Sequence, residues 1–274
     1  MVEVNAKLNG VQQVQVGPTL VLIHSPLVGP GSWQPVADEL RKLGHRVVVP
    51  SLGPLADVEP PYYLSVAEQV ADAVSVGSDD RLVLVGHSGA GALLPAIGAA
   101  LAGRAGLSGR AGLSGRQCQA YGTVFVDAML PHPGTSWFAN APTALVGQLR
   151  DLAVDRWLPP WHQWFPAEVI QALLPDEQMR ADFVAELRPL PLAYFDEPAP
   201  SVPQWVPQRC AYLQLSEGYD AEAAQAQRQG WTVRHERADH LALLTRPARI
   251  GTLLDRLITM LLDPDHPAGD EEIE

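Results

Sequence analysis

Positive charge is scarce in this 274-residue chain: 19 Lys and Arg stand against 31 Asp and Glu, a formal net charge of −12. No basic stripe or aromatic–basic interleaving appears, which argues against a nucleic-acid partner. The acidic balance favours solubility. Cysteine is nearly absent. Two residues, Cys118 and Cys210, cannot make a disulfide scaffold. Cys118 stands just before an expected strand and Cys210 at the start of another, so both are read as buried thiols rather than nucleophiles. No apolar run reaches the ~20 residues of a membrane span, and no membrane partner is expected. The opening Met1-Val2-Glu3-Val4-Asn5 lacks the basic and apolar regions of a secretory signal, so the expected location is cytoplasmic. Metal-ligand spacings, a P-loop and a dinucleotide fingerprint are also missing. The expectation is therefore no metal and no cofactor.

What the chain does have is apolar bulk. Hydrophobic residues make up 47% of it, enough for one large α/β domain with a sizeable core. Val2–Leu8 and Val11–Val16 read as an antiparallel pair turned by Asn9-Gly10. The run TLVLIH over Thr19–His24 is almost unbroken, as in a strand buried on both faces of a parallel sheet. Helical spacing over Trp33–Leu43 stops at Gly44. Further strands are expected at His45–Pro50, Leu82–Val85, Tyr121–Val126, Cys210–Leu215 and Trp231–His235. Helices are expected over Leu64–Val76 and Pro247–Leu262, the last opened by its proline. This alternation predicts a doubly wound α/β fold, with a mostly parallel eight-stranded sheet and an inserted helical cap.

The core is expected over 1–130 and 208–262. The cap is expected over 131–207, a proline-rich stretch carrying Trp137, Trp157, Trp161, Trp164 and Trp205. Its helical stretches lie near Thr143–Arg156, Ala167–Leu174 and Asp176–Leu187. Two segments read as irregular. One is the duplicated hexapeptide of Gly103–Arg116, GRAGLSGRAGLSGR, expected to be a loop. The other is the acidic tail 263–274, expected to fray.

The chemistry concentrates at Arg81-Leu82-Val83-Leu84-Val85-Gly86-His87-Ser88-Gly89-Ala90-Gly91. An apolar strand enters a Gly-flanked turn with Ser88 at its tip, and a small-residue helix over Ala92–Ala102 follows. That is the context of a nucleophile elbow. Its backbone must be strained at Ser88, and Gly86 and Ala90 must be small because strand and helix nearly touch. Ala90 replaces the usual final glycine. The N–H groups that open the helix face the reacting carbonyl oxygen.

Three landmarks together resemble the α/β-hydrolase superfamily, in its esterase and hydroxynitrile-lyase-like branch. They are the Ser88 elbow, the loop His24-Ser25-Pro26-Leu27-Val28-Gly29-Pro30-Gly31-Ser32-Trp33, and the loop Ala238-Asp239-His240-Leu241. The resemblance implies Ser88 as nucleophile and His240 as general base, since a serine hydroxyl needs an imidazole to take its proton. For the acid, Asp127 is the first choice, with Glu217 and Asp220 as the alternatives. Glu217 and Asp220 follow the strand Cys210–Leu215, but Tyr219 occupies the expected slot. Asp127, at the end of the preceding strand, resembles the haloalkane-dehalogenase arrangement. Gly89 N–H is the expected oxyanion donor. The second donor aligns with Pro26, which has no N–H, a loss worth about 2.7–4 kcal/mol of transition-state stabilisation. Leu27 or Ser25 is the substitute to look for. His24, His87, Trp161 and Trp164 are the expected substrate-side residues.

The function expected from these residues is hydrolysis of an ester, lactone or thioester of a small to medium apolar molecule, free or carried as an acyl group on a partner. The Pro26 anomaly keeps acyl transfer, elimination, cyclisation and lyase chemistry in play. A ligand receptor with little turnover is the non-enzymatic rival. Activity should rise with pH as the imidazole loses its proton.

Overall fold

Six of the expected strands lie side by side in one parallel sheet in the computed structural model, which describes residues 17–75, 81–108, 120–203 and 209–263. The first half alternates regularly: β1 (Thr19–Ile23), α1 (Gln34–Lys42), β2 (Arg46–Val48), α2 (Tyr62–Ala73), β3 (Leu82–Ser88), α3 (Leu94–Ser108) and β4 (Ala120–Ala128). A helical insertion follows, made of α4 (Trp137–Asn140), α5 (Thr143–Leu152), β5 (Trp157–Leu158), α6 (Ala167–Leu173), α7 (Glu177–Glu186), β6 (Leu190–Pro191) and α8 (Leu192–Asp196). The sheet resumes with β7 (Cys210–Gln214), α9 (Asp220–Arg228), β8 (Thr232–His235), α10 (Ala242–Thr245) and α11 (Pro247–Leu262). The strand order is β2-β1-β3-β4-β7-β8. The pair expected over 2–8 and 11–16 lies outside the described residues, as do Cys118, Trp205 and the tail beyond residue 263.

The unbroken apolar runs have a simple cause: both faces of the sheet are covered. Leu20, Leu22, Val83, Val85, Val124 and Val126 pack with Val36 and Leu40 of α1 and with Leu254 and Leu257 of α11. The alternate residues Val21, Ile23, Leu84 and Phe125 face Val66 of α2 and Leu94 and Ile97 of α3. Each fully buried side chain of this kind contributes about 1.5–3 kcal/mol. Along α11 the buried stripe runs Ile250, Leu254, Leu257, Leu261, a helical repeat.

Three of the departures from the sequence pattern have a local reason. After the elbow the chain makes a 3-10 turn over Gly89–Leu93, and α3 then runs on to Ser108. Residues 103–108, expected in the loop, are therefore helical. Adding a residue to an existing helix costs far less than starting one. The rest of that loop, 109–116, is outside the described residues. Next, α5 stops at Leu152 rather than Arg156, because Asp155 and Arg156 take left-handed φ values of 49° and 69°. That bend starts β5, which pairs antiparallel with β6. Finally, α2 begins at Tyr62, two residues before the apolar pattern starts. Its first N–H groups, from Tyr62 and Tyr63, donate to the Glu197 carboxylate at 2.7 and 3.0 Å. Among the described residues no helix is long and apolar enough to cross a membrane.

Candidate active site

The strands end together, and that is where the polar residues meet. Ser88 is the last residue of β3 and has φ 59° and ψ −128°, a conformation that L side chains rarely adopt. The turn is held by close packing. A Cβ on Gly86 would lie 2.9 Å from the Leu94 side chain. One on Gly91 would lie 2.0 Å from the Met129 carbonyl oxygen, so only glycine fits there. The need at Gly86 is legible in the sequence. The need at Gly91 is not, because Met129 arrives from β4.

Asp127 sits at the end of β4 with φ 42°, next to a register shift between His87 and Ser88. It is fully buried. Its Oδ1 accepts the N–H groups of Leu215 and Ser216, both at 2.9 Å. Its Oδ2 accepts the Ser216 hydroxyl at 2.6 Å and His240 Nδ1–H at 2.7 Å. Burial alone would raise its pKa. The bonds from His240, Ser216 and Leu215 outweigh burial and hold the carboxyl below its ordinary value. Tyr212 fixes the bend, because its hydroxyl accepts Ala128 N–H at 3.0 Å and donates to the Ala128 carbonyl at 2.8 Å.

His240 follows β8. Its Nδ1–H is committed to Asp127, so Nε2 carries the lone pair, and the Ser88 hydroxyl donates to it at 3.0 Å. Ser88, His240 and Asp127 thus form a continuous serine–histidine–acid triad. The other two acids are elsewhere. Glu217 is exposed, and Asp220 receives the Gln214 side-chain amide.

The remaining expected site residues divide. His24 is buried and spends both ring nitrogens on backbone: Nδ1–H donates to the Ser25 carbonyl at 2.8 Å, and Nε2 accepts Leu52 N–H at 3.2 Å. Burial lowers its pKa to about 4. His87 lies behind the triad, with Nε2–H donating to the His240 carbonyl at 3.0 Å and its ring 4.5 Å from that of His240. Burial lowers its pKa too. Trp164 is packed inside the insertion against Phe195, and its ring N–H donates to the Pro159 carbonyl at 2.8 Å. Trp161 differs: it is partly exposed and its ring centroid is 6.3 Å from that of His240. His162 lines a cleft of about 470 Å³ in the insertion, with Phe165, Ile170 and Val184.

Beside the elbow, Leu27 N–H is taken by Ser25 Oγ at 3.2 Å. That same oxygen lies 2.9 Å from where a Cβ on Gly89 would stand. Cys210 is a free, buried thiol, and burial pushes its pKa up to about 12. No cluster of three or more His, Cys, Asp or Glu side chains suited to a metal ion occurs among the described residues. Two contacts escape sequence reasoning. Ser216 grips Asp127, and Tyr219 reaches Ser88. The only sequence signal for Tyr219 is its place in the slot where an acid is expected.

The sequence pattern of the Alpha/beta hydrolase family matches residues 20–251. No curated protein matches the chain in sequence. Among solved structures, an extracellular alpha/beta-hydrolase from a Paenibacillus species superposes with a TM-score of 0.67 at 21% identity, over 88% of this chain and 99% of that one. It is described as sharing structural and functional homology with tobacco salicylic acid binding protein 2. Tomato methylketone synthase I complexed with 2-tridecanone gives a TM-score of 0.62 at 15% identity, over 89% and 98% of the two chains. A pyrethroid hydrolase from Sphingobium faniae JZ-2 gives 0.61 at 21% identity, over 88% and 97%. At such identities the likeness establishes the fold.

Proposed function

This chain belongs to the alpha/beta hydrolase family, and from that premise we propose that it is a serine hydrolase of esters, lactones or thioesters in small to medium, largely apolar molecules. The observation that carries the reading is the unbroken relay from Asp127 through His240 to Ser88, with contacts of 2.7 and 3.0 Å. Ser88 Oγ attacks the acyl carbon while its proton passes to His240 Nε2. The imidazolium then protonates the leaving group. In the second half His240 takes a proton from water, which attacks the acyl-enzyme, and Ser88 recovers its proton. Asp127 stays a carboxylate throughout and steadies the imidazolium.

Gly89 N–H, at the opening of a 3-10 turn and so without an intrahelical acceptor, is one oxyanion donor. Ser25 is the second. Its Oγ already accepts Leu27 N–H, which leaves its own O–H to donate. This replaces the N–H that Pro26 lacks and takes Leu27 out of consideration. Residues 131–207 act as the cap, and Trp161 supplies an apolar wall beside His240. The pyrethroid hydrolase and the 2-tridecanone-bound methylketone synthase support an apolar substrate class.

A fluorophosphonate probe tests the reading. Intact-mass labelling of the wild-type protein at one site, lost in Ser88→Ala, is expected alongside turnover of short p-nitrophenyl esters. A wild-type protein that neither labels nor turns over these esters contradicts it and returns the chain to a binding role.

A further inference from the structure

Ser88 Oγ has a second partner besides His240: the Tyr219 hydroxyl lies 3.3 Å from it. We propose that Tyr219 is a further catalytic residue, whose phenolic O–H donates a hydrogen bond to the nucleophile oxygen and supports it when it carries charge. The proposal rests on the serine-hydrolase reading above.

The direction of the bond follows from counting protons. His240 Nδ1–H points to Asp127, so Nε2 must accept, and the single proton of Ser88 goes there. The Oγ lone pairs can then only accept. Tyr219 must be the donor, and burial keeps its phenol protonated by raising its pKa. The ring is held in place independently of that bond. It stacks on the His240 imidazole with centroids 5.2 Å apart and planes 12° from parallel. Its own N–H donates to the Ser216 carbonyl at 3.2 Å, closing the turn before α9. That one short turn therefore grips both ends of the relay, Asp127 through Ser216 and Ser88 through Tyr219.

The chemistry balances without a proton leaving Tyr219. In acylation the Oγ–C bond forms, the carbonyl π pair moves to the carbonyl oxygen, and the serine proton moves to His240. In deacylation the Oγ–C bond breaks and its electron pair returns to Oγ. There the phenol O–H supports the oxygen until His240 gives the proton back. The largest effect belongs to this second departure.

Tyr219→Phe keeps the ring stack and deletes only the donor. Its kcat toward p-nitrophenyl esters is expected to fall about ten-fold, the scale of one such hydrogen bond in a barrier. Acyl-enzyme should accumulate by intact mass, with the unfolding midpoint and the pH profile unchanged. A kcat within two-fold of wild type overturns the role of Tyr219 while the hydrolase reading stands on the Ser88→Ala labelling result. A loss accompanied by a shifted pH profile also overturns it, since it traces the effect to a displaced His240. If wild-type protein fails to label, the hydrolase reading falls and this proposal with it.

Discussion

His24 shows how much one buried side chain constrains the loop after β1. Both of its nitrogens hold backbone, from Ser25 on one side and Leu52 on the other, so the folded protein tolerates only the neutral ring. In the unfolded chain a histidine takes a proton below about pH 6.5. In the folded chain burial holds the pKa at about 4. Between those values the unfolded state binds more protons, so stability falls as pH drops and levels off below about 4. At ~1.4 kcal/mol per pH unit this group alone contributes a loss of about 3 kcal/mol across the window. Urea unfolding at pH 7 and pH 4.5 checks it. His24→Asn is expected to be less stable than wild type at pH 7, with the gap narrowing at pH 4.5. A gap that stays constant or widens contradicts the assignment. The sequence marks His24 as part of a loop that resembles the oxyanion loop of esterases. It cannot show that both nitrogens are taken, since Leu52 comes from beyond β2.

Besides its apolar packing, the helical insertion is tied to the elements around the sheet by two carboxylates. Glu197, just after α8, accepts the first N–H groups of α2 at 2.7 and 3.0 Å. Glu186, the last residue of α7, accepts Gly31 N–H at 2.8 Å. Side chains at Gly29 or Gly31 would collide with that Glu186 carboxylate. Negative charge at a helix N-terminus is favourable, and the α2 donors have no partner within the helix. Glu197→Ala is therefore expected to cost about 1–2 kcal/mol in urea unfolding. A change below about 0.3 kcal/mol would show that the latch carries no load. Long amphipathic elements were legible in the sequence: α11 matches its expected bounds, and the apolar β1 run stands out. Elements fixed by distant partners were not. The start of α2 depends on Glu197, and β5 and β6 are two residues each, too short to leave a pattern.

Across the whole molecule, the site exists because the parallel sheet ends all its strands on one edge. Ser88 comes from β3, Asp127 from β4, Ser216 and Tyr219 from the loop after β7, and His240 from the loop after β8. The Asp127–His240 contact joins residues 113 apart in sequence, and the Ser88–His240 contact joins residues 152 apart. Ser88 was legible because its turn forces small neighbours into the sequence. His240 was legible from its place before the closing helix. Asp127 was legible as the first of three acids from its place at the end of a strand; what the sequence could not show is what selects it over Glu217 and Asp220, a left-handed φ of 42° and two N–H donors from the residues that follow β7. Steady-state ester hydrolysis by Asp127→Asn, set against the double variant Glu217→Gln/Asp220→Asn, tests this relay most directly. The triad described here predicts a kcat loss of about 10⁴-fold for Asp127→Asn, with the double variant within a few-fold of wild type. An Asp127→Asn enzyme of near wild-type kcat, or a collapse in the double variant instead, would contradict it.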